Sequence, residues 1–215
     1  MVVEEIMKTE VITLKKDDTI ETALQLLNEH HIRHIPIINE QKHILGIISD
    51  KDIRDACPSI FQKEEHCNEL QNSVEKIMTK NVITVHPLDF VEEVSAIFYE
   101  KEIGCLPVTK EGKLVGIITE KDILYTLIQL TGALQPSSQI EVKVKNISGM
   151  LAKVVAIIAK RKVNINSVLV YPYSKSEEYK ILVFRLQTMN PTSIINDLKN
   201  AGYTVLWPNL PGITL

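Results

Sequence analysis

Ile44-Leu45-Gly46-Ile47-Ile48-Ser49-Asp50-Lys51-Asp52-Ile53 is written a second time in this chain, as Leu114-Val115-Gly116-Ile117-Ile118-Thr119-Glu120-Lys121-Asp122-Ile123. Each copy reads as a short apolar strand ending on a hydroxyl residue, with an acid three positions later at the start of a helix from Lys51 or Lys121. Ser49-x-x-Asp52 and Thr119-x-x-Asp122 are capping boxes in type. The hydroxyl takes an orphan amide of the first turn, and the acid favours the positive helix end. A helix start with a hydroxyl is also a ready place for phosphate, and an aspartate one turn in can accept from the two hydroxyls of a ribose. Gly46 and Gly116, without a Cβ, let backbone or ligand come close.

The repetition extends to both sides. Ile6-Met7 through Val11-Ile12-Thr13 recurs as Ile77-Met78 through Val82-Ile83-Thr84, 71 residues on, whereas Gly46 and Gly116 are 70 apart. The lost residue falls between Asn39 and His43, against Lys110-Glu111-Gly112-Lys113, and a turn joining two strands tolerates a deletion best. Val11-Ile12-Thr13-Leu14 and Val82-Ile83-Thr84-Val85 read as short strands. Asp18-Thr19-Ile20-Glu21 and Asp89-Phe90-Val91-Glu92 read as capping boxes in which the aspartate caps. Ile20, Ala23, Leu24 and Leu27 then mark one helical face, as do Val91, Val94 and Phe98. Ile35-Pro36-Ile37-Ile38 and Leu106-Pro107-Val108 follow as strands whose proline belongs at an edge or a strand start. Each repeat is therefore β-α-β-β-α, too small to bury its own sheet, and two copies packed face to face bury both.

Cys57-Pro58-Ser59 stops the second helix, and Phe61 to Ser73 reads as a polar surface connection. Gly132 to Ser138 is the clearest boundary in the chain. Beyond it Ile140, Val142 and Val144 alternate with Glu141, Lys143 and Lys145 as a half-buried strand. Ser148-Gly149 breaks that strand, and Leu151, Val154, Val155 and Ile158 give a helical face. Val163 to Val170 and Lys180 to Leu186 are strands joined by the polar hairpin Ser174 to Glu178. Pro191 opens a helix faced by Ile194, Ile195 and Leu198, Gly202 ends it, and Tyr203 to Trp207 is a last strand. The expected layout is a first repeat over 1–60, a connection over 61–73, a second repeat over 74–131, a linker over 132–138 and a βαββαβ, ferredoxin-like unit over 139–215. The fold class is mixed α/β (α+β).

Composition narrows the function classes. The chain has 215 residues, 45% hydrophobic and 24% charged, with a net charge of -3. That is ordinary globular composition, and the charge balance offers no basic field for nucleic acid or an anionic membrane. No apolar run reaches the length of a membrane span. The acidic start Met1-Val2-Val3-Glu4-Glu5 is unlike a signal peptide, and three cysteines without a C-x-x-C spacing read as free thiols of a reducing cytoplasm. His30, His31 and His34 are close in sequence, but a helix ending before Ile35-Pro36 keeps them off one face, and no ligand set for a metal follows. No catalytic motif is present, so the expectation is a protein that is not an enzyme.

Taken together, the V-x-T strand starts, the proline strands and the G-h-h-S/T-x-x-D ends, in order and twice, resemble a tandem pair of CBS domains, the Bateman module. The resemblance implies that Ser49 and Asp52 serve one nucleotide site and Thr119 and Asp122 another. Thr13 and Thr84 match positions that line the adenine pocket in that family. Arg33 and His34 stand where nucleotide-binding members supply cations to phosphate oxygens, and Gly104-Cys105 replaces them in the second repeat. The two sites are thus expected to be unequal, with the second favouring a less charged adenosine compound. The candidate regulatory ligands are AMP, ATP and S-adenosylmethionine, with no catalytic cofactor.

Gly149 and Leu151 after a strand, and Val163-Asn164-Ile165 opening the next, resemble an ACT domain. That likeness implies an effector pocket involving Gly149, Met150, Leu151, Asn164 and Ile165 where two such domains pair, hence a homodimer. Asn146-Ile147-Ser148-Gly149 stands where D-x-P-G is the family pattern, which removes an ammonium partner. The order CBS, CBS, ACT at this length resembles the acetoin-utilisation proteins of spore-forming bacteria. It implies a regulatory role in acetoin or butanediol use, coupled to growth and sporulation, with an acetoin-pathway or deacetylase protein as partner. A structural adaptor that dimerises and binds no ligand is the alternative.

Overall fold

The repeats account for one of the two units into which the chain divides, Met1–Leu124 and Tyr125–Leu215. The structure, a computed structural model, describes residues 1–56 and 67–208. In the first repeat, α1 (Ile20–Glu29) leads to the antiparallel pair β1 (His34–Ile38) and β2 (Ile44–Ser49), then to α2 (Asp50–Ala56). A single turn of helix, α3 (Cys67–Leu70), lies in the expected connection. In the second repeat α4 (Val91–Lys101), β3 (Cys105–Lys110), β4 (Lys113–Thr119) and α5 (Glu120–Thr131) follow in the same order, β3 and β4 again antiparallel. The predicted helix stop at Cys57-Pro58-Ser59 lies outside the described residues.

The two hairpins differ where the residue is missing. β3 and β4 close on Glu111-Gly112, both at positive φ (52° and 75°), the two-residue turn whose twist suits a hairpin. In the longer first turn Lys42 takes positive φ, and the Asn39 side chain accepts from the amides of Gln41 and His43. Both second strands bulge just before their glycine, since Ile37 pairs with Gly46 but Ile38 with Ile44, and Val108 with Gly116 but Thr109 with Leu114.

Three sequence expectations change. The runs ending in Leu14 and Val85 are not strands of their own. Each is one parallel bridge, Leu14 to Ile37 and Val85 to Val108, using the carbonyls of Pro36 and Pro107 on the side of β1 and β3 away from their partners. The helix caps also move. Thr19, not Asp18, caps α1, and Phe90 precedes α4 with no side-chain cap. Asp18 and Asp89 instead accept from the amides three residues earlier, Lys15 and His86, and so close the turns that enter the helices. Leu24 is exposed, while Ile20, Ala23 and Leu27 are buried, as are Val91, Val94 and Phe98.

Each repeat's core is completed by the other's leading segment. Leu14, Ile20, Ala23, Leu27, Ile35, Ile37, Ile48 and Ile53 pack with Val74, and Ile77 and Met78 lie against them. Val85, Val94, Phe98, Leu106, Val108 and Ile118 pack with Val3, and Ile6 and Met7 lie against them. Backbone bonds hold the exchange: Val74 N–H donates to Asp18 and Val3 N–H to Asp89. Met78-Thr79 lies along β2 and Met7-Lys8 along β4, so a Cβ on Gly46 would stand 2.5 Å from Met78 Sδ, and one on Gly116 2.6 Å from Met7 Sδ. The glycines are needed by the chain itself.

The second unit is β5 (Ser138–Lys145), α6 (Met150–Ala159), β6 (Ile165–Pro172), β7 (Tyr179–Leu186), α7 (Thr192–Asn200) and β8 (Thr204–Trp207). Its antiparallel sheet has the order β6-β7-β5-β8, a ferredoxin-like arrangement. Ile140, Val142 and Val144 of β5 meet Val154 and Ile158 of α6 and Ile194, Ile195 and Leu198 of α7 around Phe184. Leu151, expected on the buried face of α6, is 40% exposed.

Candidate functional site

At the end of each β-hairpin the hydroxyl and acid of the repeated stretch meet. Ser49 donates to Asp52 through both its amide and its hydroxyl, each 2.7 Å from Oδ2, and the Asp52 amide donates back to Ser49 Oγ at 3.2 Å. Thr119 donates to Asp122 Oδ2 in the same way, from its amide at 2.9 Å and its hydroxyl at 2.5 Å. The capping box of the sequence is therefore real, and its helices begin one residue earlier than read, at Asp50 and Glu120.

Two further groups join each pair. His34 pairs with Ser49 across β1 and β2, and Cys105 pairs with Thr119 across β3 and β4. The exchanged leading segments supply the other: Thr79 and Ile47 trade both backbone hydrogen bonds, and so do Lys8 and Ile117. Lys8 extends its ammonium to Asp122 Oδ1 at 3.5 Å, the lysine side chain 59% exposed and the aspartate 15%. The two corners thus read Thr79, His34, Ser49, Asp52 and Lys8, Cys105, Thr119, Asp122. They adjoin where the His34 ring lies against Gly104, a Cβ on that glycine standing 3.3 Å from His34 Cε1 and 3.7 Å from Glu120 Oε2.

Charge differs between them. Burial holds the His34 imidazole below its ordinary pKa, against the pull of Asp50, Asp52 and Glu120. It is neutral at pH 7 as a result. Burial, helped by the negative charge of Asp122 and opposed by Lys8, pushes the Cys105 thiol up to about 12. The thiol is thus a packing group and no nucleophile at neutral pH. Arg33 is exposed, and its carbonyl accepts from the Asp50 amide as Gly104's does from Glu120. At these strand positions the second repeat supplies no cation of its own. Lys8 provides one, from before the second repeat and from the other end of the unit's sequence.

The remaining candidates lie elsewhere. Thr13 and Thr84 precede the bridging residues Leu14 and Val85, across β1 and β3 from the hydroxyl–acid pairs. Thr84 Oγ1 accepts from the Thr109 hydroxyl at 3.3 Å. In the second unit Gly149, at φ 78°, precedes α6 beyond the Lys145 end of β5. Asn164 and Ile165 stand at the opposite end of the sheet, where Ile165 pairs with Leu186 and Ser138 pairs with it from the other side. The Asn164 amide donates to Gln187 Oε1, beside a groove lined by Gln135, Pro136, Asn166, Gln187, Thr188 and Met189. Within one chain these glycine and asparagine segments do not share a pocket. Among the described residues no group of three or more His, Cys, Asp or Glu side chains is placed to hold a metal, and no helix is long and apolar enough to cross a membrane.

Comparison with known proteins adds the family. The CBS domain model matches residues 3–59 and 74–129, and the ACT domain model residues 138–202. A CBS domain-containing protein of Dictyostelium discoideum is 31% identical over 143 residues, 64% of this chain and 99% of that protein. The homoserine O-acetyltransferase of Methanosalsum zhilinae is 34% identical over 122 residues, but the chain spans only 23% of that enzyme. Among solved structures, a Vibrio cholerae protein assigned the name acetoin utilization protein AcuB matches with TM-score 0.55 and 30% identity, over 64% of this chain and 98% of that one. The CBS domain pair of protein MJ0100, in complex with 5'-methylthioadenosine and S-adenosylmethionine, matches with TM-score 0.51 and 30% identity, over 59% of this chain and 95% of that one.

Proposed function

The chain belongs to the CBS-domain family, its CBS pair followed by an ACT domain, and we propose that it is a regulatory sensor which binds an adenine nucleotide or adenosine derivative at the two corners. One observation carries the reading: twice, a hydroxyl and a carboxylate are fixed at a helix start at the end of a short antiparallel strand pair. Such a helix start suits phosphate, and the carboxylate suits the paired hydroxyls of a ribose. The relative bound to 5'-methylthioadenosine and S-adenosylmethionine supports the ligand class. In this reading Ser49, Asp52, Arg33, His34 and Thr13 serve one ligand and Thr119, Asp122 and Thr84 the other. AMP, ATP and S-adenosylmethionine are the first ligands to test.

Regulation then requires that the ligand prefer one of two states of the protein, since equal affinity for both shifts nothing. We place the second state in the ACT domain or a partner protein, so that occupancy of the CBS pair is passed on rather than converted. The likeness to the Vibrio cholerae protein, which carries an acetoin-utilization name, supports a place in acetoin use. With it we propose, from the CBS-CBS-ACT order alone, butanediol use, a cytoplasmic setting, an acetoin-pathway or deacetylase protein as partner and a link to sporulation. The chain carries no chemistry of its own in this reading.

Titration calorimetry with AMP, ATP and S-adenosylmethionine tests it, on the wild type and on Asp52→Ala and Asp122→Ala. Binding weakened by one or both substitutions is expected. No binding of any adenosine compound, or binding unchanged in the double variant, refutes the sensor. The second reading, a ligand-free adaptor, is favoured by the edge strand β6, which exposes Val168, Leu169, Val170 and Tyr171 in a row. It predicts self-association with no ligand-dependent melting shift.

A further inference from the structure

We propose that Lys8 makes the Asp122 corner selective for an adenosine compound bearing an anionic group, a device that the Asp52 corner, with Thr79 at the equivalent position, does not have. The inference rests on the sensor reading and sharpens it to a ligand class for each corner.

Three observations carry it. First, Lys8 is fixed by backbone, not merely near by chance. Its N–H donates to Ile117 and its carbonyl accepts from Ile117, both at 2.9 Å, two residues before Thr119. Gly116 leaves room for this segment, since a Cβ there would lie 3.0 Å from the Lys8 carbonyl oxygen. Second, the ammonium reaches the carboxylate that would hold the ribose, 3.5 Å from Asp122 Oδ1, while Thr119 already donates twice to Oδ2. Third, the pseudo-equivalent position beside Asp52 is held by the same pair of backbone bonds and is occupied by Thr79, which has no charge.

The consequence follows from donor chemistry. A lysine ammonium has three donors on a flexible stem, and this one is largely exposed. When ribose hydroxyls donate to Asp122, a ligand with a phosphate offers the ammonium a second anionic partner within reach of the same stem. A neutral 5'-substituent offers none, and a sulfonium places like charge beside it. The Asp52 corner is built differently: Thr79 brings no charge on the exchanged segment, and His34 is half-buried and neutral at pH 7, which leaves any cation there to the exposed Arg33 at the entry to β1.

The test compares AMP with 5'-methylthioadenosine by calorimetry in an Asp52→Ala background, which leaves the Asp122 corner to be read alone. Lys8→Met is expected to weaken AMP by about tenfold and to move 5'-methylthioadenosine by less than about twofold, with Lys8→Arg retaining the preference. Raising the salt concentration should weaken AMP binding in the Lys8 protein and not in Lys8→Met. Thr79→Lys, at an exposed position, should raise AMP affinity at the other corner when Asp122→Ala silences the first. The inference is overturned if Lys8→Met weakens both ligands equally or neither. If the wild type binds no adenosine compound at all, the sensor reading itself falls, which is a separate result.

Discussion

Asp52 and Asp122 hold their helices closed whether or not a ligand is present, so the two roles need separate measurements. Each accepts twice from the hydroxyl residue three positions earlier. Asp52→Ala is therefore expected to lower stability by about 1 kcal/mol in urea denaturation, in the absence of any nucleotide. This pair was legible in the sequence because a capping box is a local, four-residue event. Lys8 was not, for its neighbour Asp122 lies far along the chain and no pattern states that the leading segments cross over. His34 gives a second test at this scale. Burial lowers its pKa, with Asp50, Asp52 and Glu120 pulling the other way and Arg33 assisting. The unfolded chain then binds the proton first, so stability is full above the ordinary imidazole value of about 6.5 and falls as pH drops through it. His34→Gln should flatten the melting temperature between about pH 7 and pH 5. An unchanged slope would assign the acid sensitivity to other groups.

Among the elements, the hairpins followed their turn chemistry and the helix entries did not. Glu111-Gly112 reads directly as a tight turn, and the structure makes it one. Asp18 and Asp89 look like caps, yet each closes the turn before its helix, because the amide of Lys15 or His86 stands in reach and the cap falls one residue later. Sequence alone does not separate those two partners for one carboxylate. The glycines of β2 and β4 carry a prediction. Gly116→Ala puts a Cβ 2.6 Å from Met7 Sδ and 3.0 Å from the Lys8 carbonyl. The sulfur can swing aside but the paired backbone cannot, so a loss of about 1–3 kcal/mol is expected in denaturant unfolding. Gly149→Ala meets nothing within 4 Å, but its φ of 78° should still cost about 1 kcal/mol through the left-handed backbone. A smaller loss at Gly116 than at Gly149 would mean that the leading segment sits loosely on β4.

For the whole molecule, the exposed edge is the feature most open to test. β6 carries no charged residue between Ile165 and Pro172 and ends the sheet. Val168, Leu169, Val170 and Tyr171 are 37%, 44%, 48% and 40% exposed. Folded proteins rarely leave such an edge without charge, proline or cover along its length. The ACT resemblance implies pairing of two such domains, and we propose this edge as the surface that a second copy covers. Light scattering on Leu169→Lys is expected to report half the mass of the wild type, with the far-ultraviolet circular dichroism unchanged. A wild type that is already monomeric would remove the dimer from the proposal.

The sequence by itself determined the three-part order, the doubled motif, the hydroxyl–acid pairs and the buried faces of most helices, all of which depend on residues within a few positions of one another. Only the tertiary structure decided which segment completes which core. Val3 belongs to the second repeat and Val74 to the first, because each repeat's own leading run bridges β1 or β3 and the edge of β2 or β4 is bonded by the other's segment. That crossing puts Lys8 beside Asp122 and Thr79 beside the equivalent stretch of β2. Two motifs nearly identical in sequence thereby acquire different charge, since hydrogen bonds and burial act on distance in space while a repeat records only distance along the chain.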